Sequence, residues 1–378
     1  MAIACITTAR KDHKRSIFNI LLMEKNLKQC AGIDCSKDEL VVSFGVLTEE
    51  LSTELKATRC FTNNLKGFSS LLAWAEKLST KDSEVLFVLE ATGVYHEALS
   101  VFLIDHGKSV SIVLPNRASA FQKTLVCKTI TDKTASENLC IMGLQRKLDL
   151  WQKPDEVFTL LRSLSRERNQ LIKERTQITN QLHAGQHSVF TSEAILQRAR
   201  QRLQLIQEQI KQIEQQIKEV VQSSSALKVK VTKLCTIKGI AWSTAVSIIA
   251  ETQGFTLIKN RKQLASYAGL DVLEHSSGTS VKKTAHLSRR GNKHLRKSMY
   301  MPSLTAIVYN ASMKELYLRL LSKHGIKMKA LAAVQRKLLL LVYTLWKSGQ
   351  DYDPLYENNK TSKLLEQPEK TALNELAL

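Results

Sequence analysis

The sequence has 378 residues, which is enough for two or three domains with hydrophobic cores. It contains 55 lysine and arginine residues against 35 aspartate and glutamate residues, so the formal net charge is +20, which favours a polyanionic partner. No apolar run is long enough to cross a bilayer. The seven scattered cysteines include no CxxC pair, which argues against a disulfide framework or a zinc site and indicates reduced thiols in a cytosol.

The chain opens with a basic stretch that carries short apolar patches, and we expect residues 1–27 to be a loosely ordered extension rather than a signal peptide. From 28 to 150, strands and helices are mixed. Two β-rich runs, AGID and ELVVSFGV, precede the apolar strands EVLFVLE and SVSIVLP. Between the last two, GVYHEALSVFLIDHG has helical spacing and stops at Gly107. This order predicts an α/β domain with a parallel pair of strands.

Acidic residues close two of the predicted strands, since Asp34 ends AGID and Glu90 ends EVLFVLE. Ligands bind at the carboxyl ends of parallel strands, although either acid alone is more simply a surface residue. Two acids at neighbouring strand ends would crowd their charges, which a divalent cation would relieve. Asp132 begins a predicted helix and would add a third oxygen ligand. Three such acids in a basic protein suggest Mg²⁺-assisted phosphoryl transfer on nucleic acid.

Residues 151–224 are rich in Gln, Glu, Arg and Lys, and apolar residues recur there at steps of three and four. This spacing is the seam of a coiled coil, formed by Leu203, Ile206, Ile210, Ile213, Ile217 and Val220. An earlier arm at 160–182 is similar, and HAGQHSVFTS is the expected bend between two long helices. A helical spacer or dimerisation arm explains the pattern, and a DNA contact by the polar face is the alternative.

Residues 225–350 form a third, mainly helical unit, followed by a polar tail, 351–378, that is expected to be flexible. LCTIKGIAWSTAVSIIAET resembles a helix-hairpin-helix, whose turn at Lys238 and Gly239 would meet a nucleic-acid phosphate. Ala241 replaces the second glycine that is usual in this motif, so a purely structural turn is the alternative. We expect KSMYMPS and VQRKLLLLVYTLW to be core helices, with Tyr300, Met301 and Trp346 packed inside.

The stretch EHSSGTSVKK is rich in hydroxyls and has only Val281 to bury. It is either a loop whose hydroxyls bind phosphate or the position of a nucleophilic serine, for which Gly278 would allow close approach to a DNA strand. A dense cationic segment follows it. Its members are expected to contact phosphates rather than to read bases, and they are Lys282, Lys283, Arg289, Arg290, Lys293, His294, Arg296 and Lys297.

Six blocks, in order along residues 31–349, together resemble the DEDD transposases of insertion sequences, described as bridge-RNA-guided recombinases. The blocks are GIDCSKDELVVSF, LEATGVYHE, TDKTAS, LASYAGLDVLEHSSGTSV, HLSRRGNKHLRKSMYMPS and KALAAVQRKLLLLVYTLWKSG. The resemblance implies an α/β RNase H-like (RuvC-like) N-terminal domain, an α-helical coiled coil and a mainly α-helical C-terminal transposase domain with a catalytic serine. It places that nucleophile at Ser277, with Ser276 and Ser280 as the other candidates.

The resemblance also assigns Asp34, Glu90 and Asp132 to the first three acids of the DEDD set, which would hold Mg²⁺. The family pattern has an aspartate three residues after the third acid, where this sequence has Ala135. That position shares a helical face with Asp132, so a metal ligand would be lost. Either the chain is an inactivated variant, or Glu137, in a poor helical register, compensates. We favour inactivation.

The resemblance thus implies an RNA-guided DNA recombinase of an insertion sequence, acting through a covalent phosphoserine intermediate. Its partners would be a guide (bridge) non-coding RNA, donor and target DNA and further copies of itself in a dimer of dimers, without a membrane. Its location would be the prokaryotic cytoplasm, near the nucleoid. Two rival hypotheses remain: a RuvC-like nuclease that uses metal-activated water, and a non-catalytic nucleic-acid scaffold.

Overall fold

The computed structural model describes residues 26–81, 83–91, 93–125, 131–256, 258–277 and 281–354, with the backbone alone at 275–277 and 281–283. The chain divides into two compact units, Met1–Lys153 and Pro154–Leu378. The boundary expected between residues 150 and 151 lies beside this division, whereas the one expected between 224 and 225 falls inside the second unit. The expected extension and tail lie almost wholly outside the described residues.

The first unit is built on a mixed five-stranded sheet. Its strands are β1 (Lys28–Cys35), β2 (Glu39–Leu47), β3 (Thr53–Thr62), β4 (Val85–Glu90) and β5 (Ser109–Val113). Their order is β3-β2-β1-β4-β5, with β1, β2 and β3 antiparallel and with β4 and β5 parallel to β1. The predicted strands and parallel pair are confirmed, and the sheet is the RNase H-like (RuvC-like) α/β fold that the resemblance implied. The sequence reasoning missed β3, because most of its side chains are exposed.

Helices cover both faces of this sheet, which explains why β4 is a continuous apolar run. They are α1 (Leu65–Leu78), α2 (Glu97–Asp105), α3 (Pro115–Gln122) and α4 (Asp132–Gln145). Phe87 and Leu89 of β4 lie in the core with α1 and α2, whereas Val88 lies in the core with α4. Alternate side chains of one strand therefore supply two separate cores.

In its described residues, the second unit is helical apart from one β-hairpin. Its helices are α5 (Glu156–His187), α6 (Glu193–Gln222), α7 (Ser225–Cys235), α8 (Trp242–Thr252), α9 (Arg261–Tyr267), α10 (Lys293–Ser298), α11 (Tyr300–Tyr309), α12 (Ala311–His324) and α13 (Lys327–Ser348). Strands β6 (Val272–Ser277) and β7 (Val281–Leu287) form the hairpin. The predicted bend between two long helices is present at residues 188–192, the second half of HAGQHSVFTS, whereas the first five residues of that stretch continue α5.

Helices α5 and α6 pack along each other within the chain. Ile206 and Ile210 of the predicted seam contact a cluster that includes Ile178 and Leu182 of α5. At its end the seam continues through Val221, which is buried, rather than Val220. The predicted coiled coil is not confirmed: what the structure shows is an intrachain pair of helices whose apolar faces cover each other.

The core of the second unit joins the start of α5 and the end of α6 to the C-terminal helices, which is why residues on both sides of position 224 belong to one unit. Trp346 is buried there and donates from Nε1 to the Gly254 carbonyl at 2.8 Å. The packing expected of Tyr300 and Met301 is wrong, because both are exposed. Helix α11 turns Ser303 and Ala306 inward instead.

Candidate active site and nucleic-acid surface

The two strand-end acids of the first unit come together at one edge of the sheet. Strand β1 runs parallel to β4 with Ile33 opposite Leu89, so the next residue on each strand, Asp34 and Glu90, lies at the shared carboxyl end. Helix crossovers leave this end of a parallel pair open to ligands. The pairing that the strand patterns predicted is therefore present.

Helix α4 approaches this edge closely because Gly32 has no side chain. A Cβ atom at position 32 would lie 2.2 Å from the Cys140 nitrogen and 2.2 Å from the Ser136 carbonyl oxygen. Thr131 caps the helix, since its Oγ1 accepts a hydrogen bond from the Thr134 amide at 3.2 Å. The local sequence thus fixes both the start of α4 and its contact with β1.

Helix α4 carries Asp132 on its exposed first turn and Ala135 one turn later. Ala135 lines a cleft of about 260 Å³ together with Asp34 and Glu90. The remaining lining residues come from α3 and α4. Those of α3 are Pro115, Ala118, Ser119, Phe121 and Gln122, and those of α4 are Asn138, Leu139 and Met142. The structure therefore places Ala135 on the acidic cleft.

Negative charge is crowded at this cleft. Burial raises the pKa of the Asp34 carboxyl, and the nearby charges of Asp132 and Glu90 raise it further. Burial and the charges of Asp34 and Glu90 raise the pKa of the neighbouring Cys35 thiol to about 12, so this thiol stays protonated at neutral pH. A cation or a hydrogen-bond donor in the cleft would offset the crowded charge.

The oxygen-only chemistry of these acids suits Mg²⁺, which proteins commonly hold by one or two carboxylates together with phosphate oxygens and water. Among the described residues, no three His, Cys, Asp or Glu side chains gather as ligands of one ion. Asp34 and Glu90, which line one cleft, are the residues that would hold such a cation together with a phosphate. The third expected ligand, Asp132, is near enough to influence Asp34 but is not gathered with both acids.

Glu137 is not among the residues that line the cleft. Its carboxylate pairs with Lys133 one helical turn earlier, at 3.9 Å. Glu137 lies two residues after Ala135 and therefore on a different face of α4, which explains why it does not line the cleft. The structure therefore offers no support for Glu137 as a replacement for the fourth acid.

On either side of residues 278–280, the hydroxyl-rich stretch belongs to the strands of the β6–β7 hairpin, whereas one of the two hypotheses from the sequence was a loop. The backbone of Ser277 ends β6 and pairs with Val281, and Ser276 pairs with Lys282. Side-chain positions of these residues and of Lys283 lie outside the described atoms, as do Gly278 and Ser280 entirely. The sequence signal for the hairpin was two extended runs separated by a short Gly-containing turn.

The cationic segment after the hairpin has two kinds of side chain. Arg289, Arg290, Lys293 and Lys297 are exposed, whereas His294 and Arg296 are half-buried. The Arg296 guanidinium donates from Nη1 to the Ala268 carbonyl at 3.0 Å, so it also holds α10 against the residue that follows α9. The exposed members are open to solvent, and their contact with phosphates stays a prediction.

A second cleft, of about 970 Å³, lies within the second unit and was not predicted as such. Three basic residues of α5 contribute to it, namely Arg166, Arg168 and Lys173. Helix α8 contributes Ser243, Thr244 and Ser247, and α10 contributes Lys293, His294 and Lys297. The polar face of α5, whose DNA contact was the alternative to a spacer role, thus joins the cationic helix at one concave surface.

The predicted helix-hairpin-helix turn lies between α7 and α8. Lys238 is exposed, and Gly239 adopts φ +105°, which favours glycine. A Cβ at Gly239 would lie 2.7 Å from the Pro302 carbonyl oxygen, so the turn is packed against α11. This packing accounts for the glycine by structure, while Lys238 remains open to solvent.

The chain matches two transposase family models. One, described as "Transposase", covers residues 31–191, and the other, described as "Transposase IS116/IS110/IS902 family", covers residues 231–318. The chain is 29% identical over 303 residues to the pilin gene-inverting proteins of Moraxella lacunata and Moraxella bovis, covering 78% of this chain and 89% of theirs. It is 25% identical over 120 residues to an uncharacterised protein of insertion element IS110 from Streptomyces coelicolor, covering 32% and 29%.

Among solved structures, the chain is similar to RuvC of Thermus thermophilus, also solved in complex with a Holliday junction substrate. The latter match has 9% identity, a TM-score of 0.26, and covers 32% of this chain and 99% of RuvC. The acidic cleft on an RNase H-like sheet and the two family matches define the class of protein: a DNA transposase or recombinase. The chain belongs to the IS116/IS110/IS902 transposase family. No helix of the described residues is long and apolar enough to span a membrane.

Proposed function

We propose that this transposase cuts and rejoins DNA strands through Ser277, with Mg²⁺ at the Asp34–Glu90 cleft and with an RNA guide that selects the sites. The observation that carries the proposal is the cleft lined by Asp34 and Glu90, where burial and the nearby charges of Asp132 and Glu90 raise the pKa of the Asp34 carboxyl. Crowded carboxylates of this kind are suited to phosphoryl transfer on a polyanion.

In the proposed step, Ser277 Oγ bonds to the phosphorus of a phosphodiester as the bond from phosphorus to one flanking deoxyribose oxygen breaks. The departing deoxyribose oxygen gains a proton and leaves as a hydroxyl, while the serine hydroxyl loses one, so the step is balanced. Attack by a deoxyribose hydroxyl of another strand reverses the reaction and frees Ser277. The linkage between Ser277 and the DNA is itself a phosphodiester, so it keeps the free energy of the broken bond and rejoining needs no nucleotide triphosphate.

Asp34 and Glu90 would hold the cation, with Asp132 as an outer carboxylate. When bound, Mg²⁺ would supply positive charge against the attacked phosphate. A serine hydroxyl also needs a proton acceptor, and a carboxylate of the cleft is the proposed one. Ala135 leaves this cleft without the fourth acid, and we propose that the chain is correspondingly impaired.

The RNA guide, the paired donor and target DNA and a dimer of dimers are proposed from the resemblance to bridge-RNA-guided recombinases. The net charge of +20 and the exposed cations around α10 support a protein that grips nucleic-acid backbones. The pilin gene-inverting relatives, whose name describes rearrangement of a gene, support site-specific recombination here.

A non-catalytic nucleic-acid scaffold is the second candidate function, and Ala135 in the cleft is the observation that favours it. A nuclease that uses activated water is the third hypothesis. One experiment separates the three. The RNA that co-purifies with the protein is sequenced, and the complex is incubated with Mg²⁺ and DNA carrying both complementary sites, then analysed under denaturing conditions.

Covalent catalysis predicts a protein–DNA adduct that is lost in Ser277→Ala and retained in the matched Ser276→Ala variant. An adduct that persists in Ser277→Ala would assign the nucleophile to another residue. Cleaved DNA without an adduct would favour the nuclease. DNA binding without cleavage, both in the original protein and in Ala135→Asp, would favour the scaffold.

A further inference from the structure

The Nδ2 atom of Asn138 is a buried hydrogen-bond donor without a partner in the part of the chain that the structure describes. Its side chain lies on α4 three residues after Ala135, and therefore on the same helical face, and lines the acidic cleft. The residue is only 9% exposed, and its Nδ2 atom has no hydrogen-bond partner among the described residues. Buried polar groups in native proteins are nearly always paired, so this exception requires an explanation.

Packing does not supply that explanation. The cleft wall around Asn138 includes Phe121, Leu139 and Met142, and leucine would fill a similar volume among them without burying an amide. When a buried polar group lacks a hydrogen bond and packing gains nothing from it, the position is typically functional. The amide is therefore better explained by a ligand that enters the cleft.

The chemistry of the unpaired atom defines that ligand. An amide N–H donates a hydrogen bond and cannot ligate a cation, so its partner is an acceptor. Asp34 and Glu90 line the same cleft, and a cation held there would draw in a phosphate. A non-bridging phosphodiester oxygen is an acceptor that would satisfy the amide beside such a cation.

We propose that Asn138 is a substrate-binding residue whose Nδ2 donates a hydrogen bond to a non-bridging oxygen of the phosphodiester held in the Asp34–Glu90 cleft. This inference rests on the proposed function in taking DNA phosphate as the ligand of the cleft, but it does not depend on Ser277. The residue would orient the phosphate after the amide turns about its terminal side-chain bond, because Nδ2 is covered in the DNA-free structure.

The first test measures the melting temperature of the full-length protein without DNA. Asn138→Leu should melt at a higher temperature than the original protein, because it removes a buried, unpaired donor. The matched control is Asn310→Leu, since Asn310 is also buried but donates to the Tyr352 hydroxyl at 2.8 Å and accepts from the Met313 amide at 3.3 Å. That control should melt lower. A lower melting temperature for Asn138→Leu would overturn the proposal and indicate a structural role.

The second test measures the rise in melting temperature caused by Mg²⁺ with a DNA duplex, and separately with inorganic phosphate. Asn138→Leu should reduce the DNA-induced rise, and should lower adduct yield or cleavage by about ten- to a hundredfold, as expected for a lost hydrogen bond to a charged group. Loss of the phosphate-induced rise alone would assign the site to free phosphate. An unchanged rise with both probes would overturn the proposal.

Asn138→Asp distinguishes a phosphate donor from a metal ligand. It keeps the shape of the side chain but replaces the donor with a carboxylate, so the proposal expects an equal or greater loss of DNA-induced stabilisation. A gain would mean that the oxygen of this side chain faces the cation and would overturn the proposal. If Ser277→Ala keeps the adduct while Asn138→Leu behaves as expected, only the serine mechanism fails. If Ser277→Ala loses the adduct while Asn138→Leu leaves DNA-induced stabilisation unchanged, only the role of Asn138 fails.

Discussion

Glu251 of α8 accepts two hydrogen bonds from the guanidinium of Arg166 on α5, at 2.8 Å from Nε and 2.9 Å from Nη2. The Glu251 side chain is 3% exposed, whereas that of Arg166 is 45% exposed. Asn292, which caps α10, donates from Nδ2 to the same carboxylate at 2.7 Å. One buried acid therefore ties the long helix α5 and the start of the cationic helix α10 to α8.

We predict that Glu251→Ala lowers the free energy of unfolding by about 2–3 kcal/mol, somewhat below the range for fully buried pairs because Arg166 stays partly hydrated. Urea denaturation would measure the loss. The matched control is Glu214→Ala, which removes the more exposed partner of Arg168 and should cost at most about 1 kcal/mol. Equal losses in the two variants would contradict a special role for Glu251.

The same carboxylate should contribute to acid sensitivity. Burial raises the pKa of Glu251, but hydrogen bonds from Arg166 and Asn292 and the charges of Arg166 and His294 outweigh it, so its pKa lies below the ordinary value. Because the folded pKa is depressed, the stabilisation is complete above the unfolded pKa of about 4.3 and is lost as pH falls through the folded pKa. The difference in urea midpoint between the original protein and Glu251→Gln should narrow below that pH. A constant difference from neutral to acid would refute the linkage.

Restoring an acid at position 135 should raise activity. Ala135 lines the cleft with Asp34 and Glu90, so an aspartate there would add an oxygen ligand toward a bound cation. We expect Ala135→Asp to increase strand cleavage or recombination by about tenfold or more, the scale of a charge-assisted contact. Ala135→Asn, which adds similar bulk without charge, is the control. If Ala135→Asp shows no gain in an assay that detects the activity of the original protein, position 135 does not limit that activity.

Gly32 should be intolerant of any side chain. A methyl group would meet backbone atoms of Ser136 and Cys140 on α4, so Gly32→Ala should push α4 from β1 and destabilise the protein by about 1–3 kcal/mol. Gly107→Ala is the control: a Cβ there meets nothing within 4 Å, and only its φ of +70° opposes it. Thermal melting compares them, and a smaller loss at position 32 than at 107 would show that α4 adjusts freely.

The exposed cations of α10 should contribute mainly to affinity rather than to sequence choice. Lys293→Ala and Lys297→Ala should each weaken DNA binding similarly for different sequences and reduce the slope of log K against log salt by about 1. Lys66→Ala, an exposed lysine on α1 of the first unit, is the comparison and should leave the slope nearly unchanged. Titrations at several salt concentrations measure the slopes. Similar slopes for all variants would place the contact elsewhere.

Local patterns predicted much of the first unit. Continuous apolar runs marked β4 and β5, and the acids at the ends of β1 and β4 lie at one sheet edge as strand order required. Strand β3 was not predicted, because an exposed edge strand has no apolar run in its sequence. The hairpin at Ser277 was not predicted either. Its sequence is polar, so hydrophobic periodicity does not indicate strands there.

By itself, the sequence determined the basic charge, the elements with strong apolar periodicity and the strand-end positions of Asp34 and Glu90, because each of these depends on neighbours along the chain. Position 135 was singled out by the resemblance to the DEDD transposases. The tertiary structure alone decided that α5 and α6 cover each other's apolar faces and that Glu251 joins three helices. It also decided that Asn138 Nδ2 has no hydrogen-bond partner among the residues described. These last relationships depend on which buried polar atoms meet across distant segments, and a one-dimensional pattern does not encode that pairing.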